Sequence, residues 1–242
     1  MNNLTTEIKK LEFETLDNLK LSKAKNTIRA YKSDFKDFVI FCSKHGMKSL
    51  PTEPKIVSLY LTYLSKQSKY STLKRRLASI NVMHRYKGHY LDTKHPIIVE
   101  NLLGIKRQIG VYQKAKKPLM FVDIKAIIRV INESSLSEHK KLRDKSLILI
   151  GFSGGFRRSE LVSVTKDDVE FVKEGVKIFV KKSKSDQSGE GMTKAIPFFK
   201  NIKYCPVDHL KKWLKENKND LLFPISDKNV ALIIKKHALN AG

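Results

Sequence analysis

The chain has 242 residues, 41% of them apolar and 9% aromatic, enough for one large core or two modest ones and too much for global disorder. Lys and Arg number 48 against 24 Asp and Glu, a net charge of +24 that points to a polyanionic partner, nucleic acid first. No apolar stretch approaches the roughly 20 residues of a membrane span, and the polar opening MNNLTTEIKK lacks the apolar core of a secretory leader, so no membrane contact and a cytoplasmic location are expected.

The first half carries the denser charge. Met1 to Lys117 holds 24 basic and 9 acidic side chains, against 24 and 15 from Pro118 onward. A helix is expected from about Thr5 to Leu19, with Ser22 as a candidate cap for the next. In NTIRAYKSDFKDFVIFCSKHG, Ile28, Tyr31, Phe35, Phe38 and Cys42 recur at helical spacing, and Gly46 stands where a left-handed residue would end the helix. Thr52 and Pro54 open a third helix with Ile56, Val57, Tyr60, Leu61 and Leu64 on one face. Ser71 is the candidate cap of TLKRRLASINVMHRYKG, which buries Leu73, Leu77, Ile80 and Met83 and stops at Gly88. Lys74, Arg75 and Arg76 then fall in the first turns, where the helix dipole favours anions. Phosphate binding accounts for that placement, and a solvated basic face accounts for it nearly as well.

After Pro96 a helix covers Ile97 to Ile105, and QIGVYQKAKKPLM follows with glycine, cations and proline but no apolar period. This predicts a helical domain over 1–109, a basic linker over 110–117 able to lie along a phosphate backbone, and a second domain over 118–242. The second domain mixes element types. Helices are expected at Val122 to Ile131, His139 to Phe152 and Glu160 to Val164. Alternation at Val176, Ile178 and Val180, resumed at Ala195, Ile196 and Phe198, then gives a small antiparallel sheet. Helices from Pro206 to about Asn217 and from Lys228 to Leu239 complete it. The fold class is mainly α, with two domains, the second α+β. Cys42 and Cys205 have no other ligand types around them and read as ordinary, mostly buried thiols. The histidines show no paired metal spacing.

The segment GGFRRSEL, after the apolar run SLILIGFS, sets Arg157 and Arg158 at the end of a core helix. Arginine stays charged on burial and needs anionic partners. Those partners could be Glu160, Asp167 or Asp168, the usual fate of a surface arginine. The alternative is a ligand phosphate. SGEGMTK is not a phosphate-cradling loop, because it lacks the Gly-Lys-Ser/Thr spacing and a following helix.

Taken together, RDKSLILIGFSGGFRRSELVSVTKDDVEF from Arg143, the basic stretch KKSKSDQSGEG from Lys181 and the helical amino-terminal half resemble the tyrosine recombinases of the phage integrase family, over most of the chain. The resemblance implies a SAM-like core-binding domain ahead of a catalytic domain, the two forming a clamp on double-stranded DNA. It also implies site-specific recombination and integration by phosphodiester cleavage and rejoining through a phosphotyrosyl link. It makes Arg157 the phosphate-holding catalytic arginine, Glu160 the acidic residue that organises the site, and Lys184 the lysine that protonates the departing 5′ oxygen. Arg158 falls at a variable position. Lys32, Lys74, Arg75, Arg76, Lys114, Lys116, Lys117, Arg158 and Lys182 are the expected DNA contacts. No metal or other cofactor is implied, and further recombinase subunits on the DNA are possible partners.

The family pattern continues with His-x-x-Arg, a further His or Trp, and the nucleophilic tyrosine after a helix like KNVALIIKKHALNAG. None of Tyr31, Tyr60, Tyr63, Tyr70, Tyr86, Tyr90, Tyr112 or Tyr204 matches that position. The expectation is a chain lacking the carboxy-terminal catalytic segment and inactive alone, or a non-catalytic module that occupies recombination sites. An RNA-binding protein is disfavoured, since no RNP-like aromatic motif occurs.

Overall fold

The computed structural model describes residues 2–21, 23–112, 115, 117–183, 186 and 190–242, with the side chains of 2–5, 12, 16, 17, 19–21 and 25 left aside. It divides into two compact units, Met1–Ala115 and Lys116–Gly242. No helix among the described residues is long and apolar enough to cross a membrane.

The first unit is helical: α1 (Asn2–Leu21), α2 (Lys25–Lys44), α3 (Pro54–Ser65), α4 (Tyr70–Tyr86) and α5 (Pro96–Ile109). Phe38, Val57, Leu61, Leu73, Ile80 and Ile98 are fully buried at its centre. Tyr60 meets Phe38 edge-on at 5.0 Å, and its hydroxyl donates to Asp37 at 2.8 Å. Gly46, at φ +64°, ends α2 in a Schellman turn, its N–H reaching Ser43 O and the Met47 N–H reaching Cys42 O at 2.9 Å. Cys42 and Cys205 are both buried free thiols.

Three local expectations need correction. Ser71 is not the cap of α4. The helix opens at Tyr70, with Lys69 O accepting from the N–H groups of Thr72 and Leu73, because Tyr70 packs on the core and enters the helix with it. In the same helix Val82 and His84 are buried, while Leu77 and Met83 are only partly so. His84 closes its own polar account: the Thr52 N–H donates to Nε2 at 3.1 Å, and Nδ1–H donates to Ile80 O at 2.8 Å. The fifth helix runs past the expected end at Ile105 to Ile109 and stops at Gly110, where the expected linker begins. Ser22 lies outside the described residues.

The second unit comprises α6 (Phe121–Glu133), α7 (Glu138–Ser153), the one-turn α8 (Arg158–Leu161), β1 (Val169–Val172), β2 (Gly175–Val180), β3 (Met192–Pro197), α9 (Pro206–Glu216) and α10 (Asp227–Asn240). The strands are antiparallel in the order β1-β2-β3, with Val176 opposite Ile196, Ile178 opposite Lys194 and Val180 opposite Met192. The sequence had not singled out β1, whose residues are only partly covered.

The run LILI explains itself once α7 is seen between two cores. Leu147 and Ile150 face the sheet, α9 and Trp213, while Ile148 and Leu149 face Ile124, Ile127, Ile128 and Ile131 of α6. A helix apolar on both sides is a buried one. A further tie joins α7 to α10: Asp144 and His237, both nearly inaccessible, meet at 2.9 Å, and Arg143 reaches the other Asp144 oxygen at 2.8 Å.

Trp213, the sole tryptophan, is buried in this unit and donates to Leu222 O at 2.7 Å. Its fluorescence reports unfolding here. Ile178→Ala, at a fully buried position, is expected to cost about 2–5 kcal/mol in urea unfolding followed this way. A cost below about 1 kcal/mol would contradict the packing described.

Candidate functional site

The end of α7 is shaped by glycines. Gly155 N–H reaches Phe152 O and Phe156 N–H reaches Gly151 O, a Schellman turn with Gly155 at φ +57°. The ring of Phe156 folds back over Gly154, where a Cβ would lie 2.3 Å from it. The chain then turns directly into α8, with Arg157 in extended conformation at its N-cap. This turn sets the arginines after a core helix: the glycines close α7 and Arg157 caps α8.

Glu160 lies at the centre, with 1% of its side chain exposed. Its Oε1 accepts from the Arg157 guanidinium at 2.8 Å and from the Ser183 hydroxyl at 2.9 Å. Its Oε2 accepts from the Arg157 backbone N–H at 2.9 Å and lies 3.3 Å from Lys194 Nζ. Ser183 and the Arg157 guanidinium also touch each other. Burial alone would raise the carboxyl pKa. The Arg157 N–H, the guanidinium, Ser183 and Lys194 together outweigh it and hold the group at about 2, against an ordinary 4.5. Glu160 is therefore a fixed anion, and Arg157 stands on it with 47% of its side chain exposed.

Lys194 was not anticipated. Its ammonium donates to Gly154 O at 3.0 Å and Gly155 O at 2.9 Å, the negative end of α7, and lies over the Phe156 ring at 4.4 Å. It fastens β3 to the helix end that carries Arg157. Lys181, at the start of the same hairpin, pairs instead with Asp168 at 2.9 Å. Lys182 is exposed and has no ion pair among the described residues. Lys184, like Lys114 and Lys116, lies outside the described residues. Arg158 and Lys117 are exposed, without an ion pair among the described residues.

In the first unit the basic triad on α4 divides. Arg75 pairs with Asp34. Arg76 pairs with Asp37 at 3.0 Å and donates to Asp34 O at 3.0 Å. Two cations in the first turns of α4 are thus answered by carboxylates of α2. Lys74 and Lys32 are exposed, without an ion pair among the described residues. No group of three or more His, Cys, Asp or Glu that could hold a metal occurs among the described residues.

A helical unit ahead of a mixed one, whose central helix ends on an arginine seated on a buried carboxylate, is the architecture of an integrase-type protein. Residues 118–242 match the phage integrase family, and residues 15–89 match the phage integrase N-terminal SAM-like domain. The chain belongs to that family, the tyrosine recombinases. An integrase/recombinase XerD homolog of Selenomonas ruminantium is 35% identical over 96% of this chain and 72% of its own length. The tyrosine recombinase XerC of Staphylococcus aureus is 26% identical over 81% of this chain and 66% of its own length. Among solved structures, a lambda integrase(75-356) dimer bound to a COC′ core site matches all of this chain and 78% of that one, with a TM-score of 0.59 and 16% identity. XerH bound to palindromic difH substrate matches 78% of this chain and 56% of that one, with a TM-score of 0.55 and 19% identity. At these identities the two structures show a shared fold.

Two predictions follow from this geometry. A carboxyl held below its ordinary value contributes stability that is present above about pH 4.5 and is lost as pH falls toward about 2, on the order of 3 kcal/mol in full. The gap in urea stability between the wild type and Glu160→Gln, read by Trp213 fluorescence, is expected to be widest above pH 4.5 and to narrow below it; a gap independent of pH would contradict the assignment. In the first unit, Arg76→Ala is expected to destabilise by about 1–3 kcal/mol. Lys74→Ala is expected to stay within about 0.5 kcal/mol, both read by thermal melting.

Proposed function

We propose that this chain binds duplex DNA and carries the phosphate-gripping half of a site-specific recombination centre. The observation that carries the reading is the Arg157–Glu160 unit. A buried carboxylate, ionised at neutral pH, holds a half-exposed guanidinium at a helix junction, beside a basic hairpin. In-line cleavage of a phosphodiester builds charge on the nonbridging oxygens, and a preset guanidinium stabilises that charge without reorganising. Arg157 takes this role, Glu160 orients it, and Lys184, one residue past Ser183, supplies the proton to the 5′ oxygen. The two DNA-bound relatives of the same fold support the choice of partner and of assembly with further recombinase subunits.

The exposed cations Lys32, Lys74, Lys117, Arg158 and Lys182 contact backbone phosphates, and so do Lys114 and Lys116. Arg75 and Arg76 contribute less, because Asp34 and Asp37 already share their charge. The domain plan remains a core-binding domain over 1–109, a basic linker over 110–117 and a catalytic domain over 118–242.

The strand-cleaving tyrosine is not among these 242 residues. Tyr204, the one tyrosine of the second unit, is packed edge-on against Phe121 at 6.1 Å rather than beside Arg157. Alone, the chain occupies DNA without cutting it. A second reading, a module that competes with intact recombinases for their sites, follows from the same deficit.

With a nicked duplex that traps a 3′ phosphotyrosyl intermediate, no protein–DNA adduct is expected on a denaturing gel. An adduct would refute the deficit and assign the nucleophile to one of the tyrosines present. Binding to plain duplex is expected to weaken by about 10³–10⁵ between roughly 50 and 200 mM salt. Anisotropy showing no salt dependence would remove the DNA reading.

A further inference from the structure

The second unit holds a cationic depression that the Arg157 cluster does not use. It is an open hollow lined by Asn132 at the end of α6, Lys145 of α7, Lys200 and Lys203 after β3, and His209 and Lys212 of α9. Lys200, Lys203 and Lys212 are exposed, with no ion pair among the described residues. Lys145 donates to Asn132 Oδ1 at 2.9 Å, which leaves the amide NH₂ of Asn132 as a donor. Burial, opposed by Glu138 and reinforced by Lys141 and Lys212, pushes the Lys145 ammonium below its ordinary value. His209 Nε2–H donates to Lys203 O at 3.1 Å and so ties the Lys203 loop to α9, while its buried Nδ1 has no hydrogen-bond partner among the described residues. Four lysines are thus held together on packed elements, Lys145 partly offset by Glu138 and the other three without an ion pair among the described residues.

The hollow is not an extension of the Arg157 cluster. Lys194 and the hairpin end of β3 belong to that cluster. Lys200 to Lys203 follow Pro197, which pairs with Gly175 at the far end of the same strand, about 10 Å along the strand from Lys194. Its lining also argues for one partner class. A protein-binding surface needs a desolvated apolar or aromatic centre, whereas Ile202 is the sole large apolar side chain here among four lysines and two asparagines. Nucleic-acid interfaces are polar and positively charged.

We propose that this depression is a second phosphate-binding surface, which takes backbone phosphates of nucleic acid away from those gathered at Arg157. The proposal rests on the duplex binding read above. Lysine ammonium groups suit it as mobile point charges, each with three donors, and the phosphates they hold position the nucleic acid without reading its sequence.

The test is anisotropy of a labelled duplex with the full chain across a salt series. It compares the wild type, Lys200→Ala/Lys203→Ala/Lys212→Ala, and a charge-matched control, Lys218→Ala/Lys228→Ala/Lys235→Ala. Each lost phosphate contact lowers the slope of log K against log salt by about 0.9, so the pocket variant is expected to lose about 2–3 units of slope and the control less than about 1. Equal slopes in the two variants, with the wild type binding duplex, overturn this inference and leave the DNA reading intact; a wild type that does not bind duplex overturns both. As a second readout, the His209 ring resonances are expected to shift on adding duplex. A shift with a polyglutamate peptide and none with duplex overturns the proposal in favour of an acidic protein partner.

Discussion

The charged end of the second unit depends on one carboxylate kept ionised in a place where water cannot solvate it. Glu160 is tolerated there because four donors converge on its two oxygens: a backbone N–H, a guanidinium, a hydroxyl and an ammonium. A buried charge left unpaired would cost several kcal/mol, so each donor is held in place by the penalty for leaving. The carboxylate thereby positions three side chains from separate parts of the chain. Arg157 receives its orientation as a result, and only it of the three stays about half-exposed.

That arrangement needs a platform that does not shift, and α7 provides it. The helix is clamped from one side by the sheet, α9 and Trp213, and from the other by α6, with Asp144 and His237 locking α10 to it. Just past its end, the carbonyls of Gly154 and Gly155 accept from the Lys194 ammonium. A helix end completed by a side chain from a distant strand couples the sheet to the helix by hydrogen bonding as well as by packing.

Arg157 and Glu160 were legible in the sequence because their relation is local: three residues apart at a helix start, a spacing that puts the carboxylate within reach of its own N-cap. Lys194 and Ser183 were not, because a strand register brings them in across 34 and 23 residues from Glu160, and no short pattern encodes that distance. The triad on α4 shows the converse. Lys74, Arg75 and Arg76 look like a phosphate site when α4 is read alone, and two of them are answered by Asp34 and Asp37 once α2 lies beside it. The mainly helical class, the small sheet and the buried stripes of α2 and α3 were readable because hydrophobic period carries them. Helix starts such as Tyr70 were not, because tertiary packing outweighs a capping preference of about 1 kcal/mol.

The pairing of Ile178 with Lys194 has one more consequence. Cross-strand neighbours share a face, so the same alternation that sends Ile178 and Ile196 into the core also directs Lys194 toward the end of α7. A slip of one residue would put Thr193 or Ala195 there and turn Ile196 to solvent, which the core forbids. The apolar residues of β3 thus act as a ruler for a polar one. The tie between the hairpin and the arginine that runs through Lys194 is thus counted from the core outward along β3 and not along the loop.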